Sequence, residues 1–408
     1  MSKSICIIGA GPGGAIAALT LAKAGIPCTV IDKAVFPREK ICGDGFSGWV
    51  KVILDRLDPE LTKELLSHAK LQSASGAKIV VPNGRSLDFV LPPEQSKNNG
   101  FTLQREFFDN FLIDKLRSHP QINLIEGVEI SNLTKQEQGY ELSDKSGEFK
   151  LFTALLIIAN GAFSKFAKSV SGIRVSPKQN MVCARAYYKG VADIDKENPQ
   201  LEFYFLKSTL PGYLWIFPEK EGLTNVGIGY FASDMIKKKM NPKLILPEIL
   251  KNEPLLKDRF NKAEQLKPVQ SCGLPMGHKK NNLAGDHFMI IGDAAVIANP
   301  LTGEGISAAM FSGSIAATHA IQCWENNDFS VKTTQGYKKE LYKRLWWEIT
   351  LSHKLQRLIT IPGIMNLVGN KYHKSATFKS LLLSCTSNLK PARKIFNPYY
   401  LAKILLNK

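Results

Sequence analysis

SICIIGAGPGGAIAALTLAKAGIPCTVID, residues 4–32, decides the fold class. Ser4 to Ile8 is a short buried-strand pattern, Gly9-Ala10-Gly11-Pro12-Gly13-Gly14 follows at once, and an Ala/Leu-rich helix runs to Gly25. Pro27 to Ile31 is a second strand that closes on Asp32. The stretch is therefore a βαβ unit whose helical crossover implies parallel pairing. A GxGxxG alone is weak evidence, but this one follows a strand, opens a helix and has an acid 18 residues past its last glycine. Gly9 permits the tight turn, Gly11 lets the backbone approach a pyrophosphate, and Gly14 allows close helix-to-strand packing while the helix N-terminus, at Gly13, faces the anion. Asp32 can accept hydrogen bonds from a ribose diol, whereas a 2′-phosphate there would meet a negative charge. The adenosine expected is that of FAD or NAD, not NADP.

Downstream the character changes. Ser75 to Leu91 reads as antiparallel strands around Pro82-Asn83-Gly84, and FTLQREFFDNFLIDKL, ending at Leu116, reads as an amphipathic helix entered from Leu103-Gln104-Arg105-Glu106. Strand patterns return at NLIEGVEI (123–130), 148–152 and LLIIA (155–159), the last running into Asn160-Gly161. Four more strand patterns lie between Val182 and Phe231, and 237–262 is mainly helical. HFMII (287–291) then delivers Gly292-Asp293-Ala294-Ala295. The expected fold class is α/β: a discontinuous Rossmann-like FAD-binding domain (1–74, 98–178 and 270–320), an antiparallel-sheet substrate domain (75–97 and 179–269) and a basic helical C-terminal segment (321–408).

The chain has 408 residues, enough for two or three domains and an ample core, and its 44% apolar and 22% charged composition is too apolar for a disordered chain. Lys and Arg number 53 against 36 Asp and Glu, a formal charge of +17. Residues 349–408 hold ten Lys or Arg and no acid, so +10 of the +17 sits in the last 60 residues. Such a segment is either a solvated basic face or a contact with an anionic membrane. Nucleic acid is not expected, because no aromatic strand platform accompanies the charge. Seven scattered cysteines, with no CxxC pair or His cluster, read as a reduced cytoplasmic protein without a structural metal. There is no signal-peptide pattern in the first 30 residues and no apolar run of spanning length. The location expected is cytoplasmic, peripheral on the inner face of the cell membrane if the basic segment docks there.

FMIIGDAAVIANPLTGEGISAAM (288–310) carries a second cofactor signature. Asp293 could bond a sugar or ribityl hydroxyl, Pro300 bends the chain, and Thr302-Gly303-Glu304-Gly305 opens a helix at Ile306. The unpaired amides and positive dipole end of that helix suit an anionic ring system. Taken with FPREKICGDGFSG (36–48) and LPGYLWIFP (210–218), these motifs resemble the geranylgeranyl reductase family of FAD-dependent oxidoreductases, within the p-hydroxybenzoate hydroxylase fold class. The resemblance implies one tightly held FAD and a large sheet roofing a substrate cavity. Matched position by position, it implies that Gly9, Gly11, Gly13 and Gly14 meet the pyrophosphate and that Asp32, with Lys33 beside it, meets the adenosine ribose. Arg105 matches an arginine near the phosphates or ribityl chain, and Val128 a residue whose backbone meets adenine. Gly161 and Asp293, with Pro300 and Gly303, Glu304, Gly305 and Ile306, would line the rest of the cofactor. Asn160-Gly161 departs from the Asp-Gly of the wider hydroxylase class, which puts direct NAD(P)H recognition there in doubt.

Cys42, in Cys42-Gly43-Asp44-Gly45, resembles a segment passing close to the flavin, and is equally readable as a small buried thiol. Asp44 could donate a proton if the site is dry enough to raise its proton affinity, or could stabilise the turn. By alternation Tyr213, Trp215 and Phe217 share one face, which suits an isoprenoid chain and is also ordinary sheet core. Their segment also resembles a halogenase Trp-x-Trp motif, for which Lys78 is the stand-in lysine. Catalytic Ser/His/Asp order, zinc spacing and a P-loop are missing, so the flavin carries the reaction. The leading expectation is reduction of carbon–carbon double bonds in a polyprenyl lipid or related hydrophobic substrate, by hydride from reduced flavin N5. The flavin would be reduced by NADPH, NADH or a reduced carrier protein. The alternatives are a flavin-dependent monooxygenase or halogenase of an aromatic or polyketide substrate, and a redox-sensing flavoprotein that binds nucleic acid.

Overall fold

A computed structural model describes residues 3–90, 99–359 and 361–387 of the chain. Its first sheet has six strands in the order Ala284–Gly285, Phe288–Ile290, Leu155–Ile158, Ile5–Ile8, Cys28–Asp32 and Ile122–Glu126. All neighbours are parallel except the Ala284–Gly285 edge. Ile5–Ile8 and Leu155–Ile158 are buried at every position, as apolar runs covered on both faces should be. The strand order alone shows the discontinuity, because a strand from residue 288 completes a sheet begun at residue 5.

Two helices pack on this sheet by backbone approach. Pro12–Lys23 follows the first strand, and Ile306–Asn326 follows the last. A Cβ built on Gly313 would lie 2.1 Å from the Gly13 carbonyl oxygen, and one on Gly13 would lie 2.9 Å from that of Ala309. A Cβ on Gly14 would lie 1.9 Å from the Gly9 oxygen. Glycine at these positions lets both helix starts converge at the carboxyl edge of the sheet.

The second sheet has eight strands. Asn180–Lys189, Leu223–Phe231, Tyr213–Pro218 and Gln200–Tyr204 are antiparallel neighbours, and the hairpin Gly76–Val80/Ser86–Val90 extends the far edge. Two features differ from the division expected from sequence. Gln270–Pro275 pairs along Asn180–Lys189 and so belongs to this sheet, not to the nucleotide-binding part. Gln200–Tyr204 also runs parallel to Gly76–Val80, a pairing that needs a long connection, here supplied by the intervening nucleotide-binding region. One sheet face buries Ala184, Ala186, Leu214, Ile216, Val226 and Ile228 against helix Pro242–Asn252. The other carries Tyr213, Trp215 and Phe217, which cluster with Val81, Leu87 and Phe205.

The C-terminal part is helical through Val331–Ile359, Pro362–Lys374 and Ala376–Ser387. Trp346 is half-buried, edge-on to Tyr342 at 5.7 Å. Met365, Tyr372 and Phe378 join the aromatic cluster of the large sheet, and the Tyr372 hydroxyl donates to the Asp88 carbonyl at 2.6 Å. Tyr399, Tyr400 and the five basic residues Lys390, Arg393, Lys394, Lys403 and Lys408 lie outside the described residues.

Candidate active site

One cavity of about 1090 Å³ runs from the glycine-rich turn to the aromatic face of the large sheet. That is at the upper end of the range for ligand pockets, roughly 300 to 1000 Å³, as a dinucleotide cleft should be. Of the residues singled out from sequence, Gly9, Gly11, Gly13, Asp32, Lys33, Arg105, Val128 and Gly161 line it, as do Asp293 and Gly303–Ile306. Tyr213, Trp215, Phe217 and Cys42 line its other end. Gly14, Asp44 and Pro300 sit behind its walls.

At the dinucleotide end the Asp32 carboxylate accepts from Ala10 N–H at 2.7 Å and from Ala34 N–H at 2.9 Å, tying the strand end to the glycine turn. The Val128 N–H donates to the Asp32 carbonyl at 3.1 Å. Lys33 is exposed at the rim, 3.3 Å from Glu129. Gly9 has φ +104°, and a Cβ there would lie 2.4 Å from the Ala159 carbonyl oxygen. Gly11 differs from its neighbours: its φ is −63°, open to any residue, and a Cβ there would meet nothing within 4 Å. The space in front of Gly11 therefore belongs to the cleft, beside the unpaired amides of a helix start.

The second helix start is held by its own loop. Asn299 Oδ1 accepts from Leu301 N–H at 2.9 Å and Thr302 N–H at 3.2 Å, and Gly303 takes φ +72°. The Tyr213 hydroxyl donates to the Thr302 carbonyl, which joins this loop to the aromatic strand. Glu304 accepts from Ser47 and Ser307, joining it to the Cys42–Gly48 loop. The Asp293 carboxylate faces the cavity with no hydrogen bond to a described residue, and burial pushes its proton affinity up. Unpaired acceptors and two open helix starts along one cleft fit a dinucleotide with a ribityl chain.

Arg105 is buried and forks onto Asp109, with Nε at 2.7 Å and Nη2 at 2.8 Å, and Arg38 meets the same carboxylate at 3.1 Å. Asp109 thus fixes two arginines against the cleft, a role that its position inside a helix did not announce. Asp44, at φ +56°, is fully buried beneath the Cys42–Gly45 turn. Its carboxylate accepts from the Tyr187 hydroxyl at 2.6 Å, Asn225 Nδ2 at 2.8 Å and the Arg105 N–H at 3.2 Å. Asn225 also donates to the Cys42 carbonyl at 3.0 Å and accepts from the Trp215 indole N–H at 3.0 Å. Asp44 therefore braces the turn against the aromatic wall. Burial pushes its carboxyl up to about 6, partly offset by the Tyr187 bond and Arg185. Glu219, buried beside it, is pushed up to about 8 by burial and by the Asp44 charge. Cys42 is pushed up to about 11, chiefly by burial, and is a thiol at neutral pH.

Lys78 does not approach the cavity. Strand alternation places it on the far face, in register with Glu202 and Asp88, whereas Ala77 and Phe203 line the cleft. The stand-in for a halogenase lysine is therefore on the wrong side of the sheet.

The family model for the geranylgeranyl reductase catalytic domain matches residues 181–271. The chain is 29% identical over 360 residues to a digeranylgeranylglycerophospholipid reductase of Methanocaldococcus jannaschii, covering 87% of this chain and 86% of that one. It is 27% identical over 399 residues to a menaquinone reductase of Mycolicibacterium smegmatis, covering 94% and 91%. A crystal structure of a geranylgeranyl bacteriochlorophyll reductase-like protein from Thermoplasma acidophilum superposes with a TM-score of 0.81, at 21% identity, over 96% of this chain and 98% of that one. The cofactor that the cleft takes is FAD.

Two predictions follow from this geometry. Gly11→Val fills cleft and not core, so the FAD-free variant should match the thermal stability of FAD-free wild type while binding FAD at least about tenfold more weakly, about 1.4 kcal/mol. Absorbance at 450 nm against protein concentration reads the cofactor, and full occupancy in the variant would place the pyrophosphate elsewhere. The second concerns Glu219, whose carboxyl is raised in the folded state, so folding takes up protons and stability falls as pH rises from about 4.5 to about 8. Glu219→Gln lacks that penalty. Its urea-unfolding free energy, relative to wild type, should rise from pH 5 to about pH 8, by at most about 1.4 kcal/mol per pH unit, and then level off.

Proposed function

Since the chain is an FAD-dependent oxidoreductase of the geranylgeranyl reductase-like kind, we propose that it saturates isolated carbon–carbon double bonds in a polyprenyl lipid. The observation that carries this reading is the continuity of one cavity from the dinucleotide end to an aromatic wall of Phe203, Tyr213, Trp215 and Phe217. Bound and reduced, FAD supplies hydride from N5. The chain's own residues orient and exclude water. Gly227 has no side chain, and a Cβ there would lie 2.1 Å from the Trp215 indole, so the ring lies flat along the sheet. Trp215 is also locked through Asn225 to the turn that carries Cys42. Asp44 and Glu219 do not line the cavity, whereas Asp293 and Glu304 line it at the second helix start. The proton that completes the reduction comes from water or from the Cys42 thiol. NADPH, NADH or a reduced carrier protein is the proposed electron donor.

The substrate is proposed to reach the cavity from a membrane. No helix among the described residues is long and apolar enough to cross one. At the corner between helices Val331–Ile359 and Pro362–Lys374, Leu358, Ile361 and Leu367 are exposed, with Lys354, Lys374 and Lys379 exposed on the same segment. Met365 and Tyr372 of this segment pack into the aromatic cluster, so a docked corner would sit beside the substrate chamber. The proposed location is cytoplasmic, peripheral on the inner leaflet.

Anaerobic incubation of the FAD-loaded protein with dithionite and a geranylgeranylated lipid should yield products heavier by two hydrogens per turnover. Oxygen-dependent gain of an oxygen atom, or incorporation of halide, overturns the reductase reading. For the membrane, the protein should sediment with phosphatidylglycerol vesicles and be released by salt. Reversing Lys354, Lys374 and Lys379 to Glu should weaken that binding by about 3 kcal/mol or more, taking about 1 kcal/mol per basic residue. Equal binding to neutral vesicles would remove the electrostatic docking.

A further inference from the structure

Helix Val331–Ile359 touches the second cofactor signature, residues 288–310, at two points. The buried Tyr337 hydroxyl donates to the Ile290 carbonyl at 2.7 Å, at the end of the strand that delivers Asp293. About three turns further along the same helix, a Glu348 carboxylate oxygen accepts from Asn299 Nδ2 at 3.0 Å. The next residue, Ile349, is buried against Gly277, where an added Cβ would lie 2.9 Å from the Ile349 Cγ2. The Gly277 N–H in turn donates to the Ala298 carbonyl at 2.8 Å. The helix therefore braces residues 298 and 299 from two sides.

Asn299 organises the loop that opens helix Ile306–Asn326. Its Oδ1 accepts from the Leu301 and Thr302 amides, and its carbonyl accepts from the Gly303 N–H at 2.9 Å. Its own N–H donates to the Glu304 carbonyl at 2.9 Å. The side-chain amide has two orientations related by a half-turn, and only the one with Oδ1 on the loop amides satisfies them. Glu348, as a carboxylate, offers acceptors only, so it pairs with Nδ2 and selects that orientation. It does not line the cavity, and a negative charge near Glu304 and an anionic cofactor is electrostatically adverse. What this acid contributes is position, not charge.

We propose that Glu348 is a positioning residue for the flavin: acting through Asn299, it holds the 299–305 loop so that the first turn of helix Ile306–Asn326 stays aimed into the cleft, which favours reduced over oxidised FAD. The amides of Ile306, Ser307 and Ala308 have no acceptor inside their own helix, and their partial positive charge favours a ring that gains negative charge on reduction. Tyr213 and Ser47 tie the same loop at Thr302 and Glu304. Glu348 is the tether at its first residue. This role requires bound FAD and is independent of which alkene is reduced.

The test is the midpoint potential of FAD in the full-length, FAD-loaded protein, read at 450 nm during anaerobic equilibration with a reference dye. Glu348→Ala should shift the balance of reduced to oxidised cofactor at least tenfold toward oxidised, a fall of about 30 mV for a two-electron couple. Loss of the carboxylate charge alone acts in the opposite direction, since it favours the more negative, reduced form. Glu348→Gln, whose carbonyl can still accept from Asn299, should therefore hold the wild-type potential or exceed it. Melting temperature is followed in each variant, and Glu348→Met, which fills the space without a comparable acceptor, serves where the Ala form fails to fold. An unchanged potential in the variant without an acceptor overturns the proposal, whatever its melting temperature. Equal shifts in the Ala and Gln forms, of either sign, overturn it too. In an Asn299→Ala background Glu348→Ala should cause no further fall, and an additive fall overturns the route through Asn299.

Discussion

The structure depends on backbone approaching backbone where side chains would not fit. The carbonyl oxygens of Gly9, Gly13 and Ala159 each occupy the space of a Cβ on a glycine nearby: Gly14, Gly313 and Gly9 respectively. These three contacts bring strand 155–158, helix 12–23 and helix 306–326 to one point, although the chain passes through an entire second sheet between them. The consequence is electrostatic as well as geometric. Two helix starts, each with unpaired amides, open on the same cleft, so one anionic cofactor can be held at its pyrophosphate by the first and at its ring by the second. An added methyl group at Gly313 forces the two helices apart, one at Gly14 forces helix 12–23 off the glycine turn, and overpacking of this kind costs roughly 1 to 3 kcal/mol.

A second constraint ties this cleft to the large sheet. Asp44 is a buried carboxylate with three donors from three parts of the chain: Tyr187 and Asn225 on the sheet, and the amide of Arg105 at a helix start. Desolvation disfavours its charge, and those hydrogen bonds restore part of what burial removes. Through Asn225 the same network fixes the Trp215 indole and the Cys42 carbonyl. The Cys42–Gly45 turn and the aromatic wall are therefore one rigid unit. Positioning of any ligand between the turn and the wall depends on this kind of rigidity.

Much of this was legible in the sequence because it is local. The strand, glycine turn and acid of residues 4–32 specify a dinucleotide site within one βαβ unit, and the alternation of Tyr213, Trp215 and Phe217 sets their common face. What stayed hidden is what pairs over long separations. Asp109 reads as one acid on an amphipathic helix, and only the fold shows it holding Arg105 and Arg38 together. The membership of Gln270–Pro275 in the large sheet depends on register with a strand about 90 residues earlier, which periodicity does not encode. Lys78 shows the same limit in reverse: its strand was foreseeable, but the face it takes follows from its register with Glu202.

The charge of the chain acquires a location from the same reasoning. Helices Pro362–Lys374 and Ala376–Ser387 carry basic residues outward while Met365, Tyr372 and Phe378 pack inward on the aromatic cluster. The segment thus backs the aromatic cluster of the large sheet and carries positive charge on its outer side.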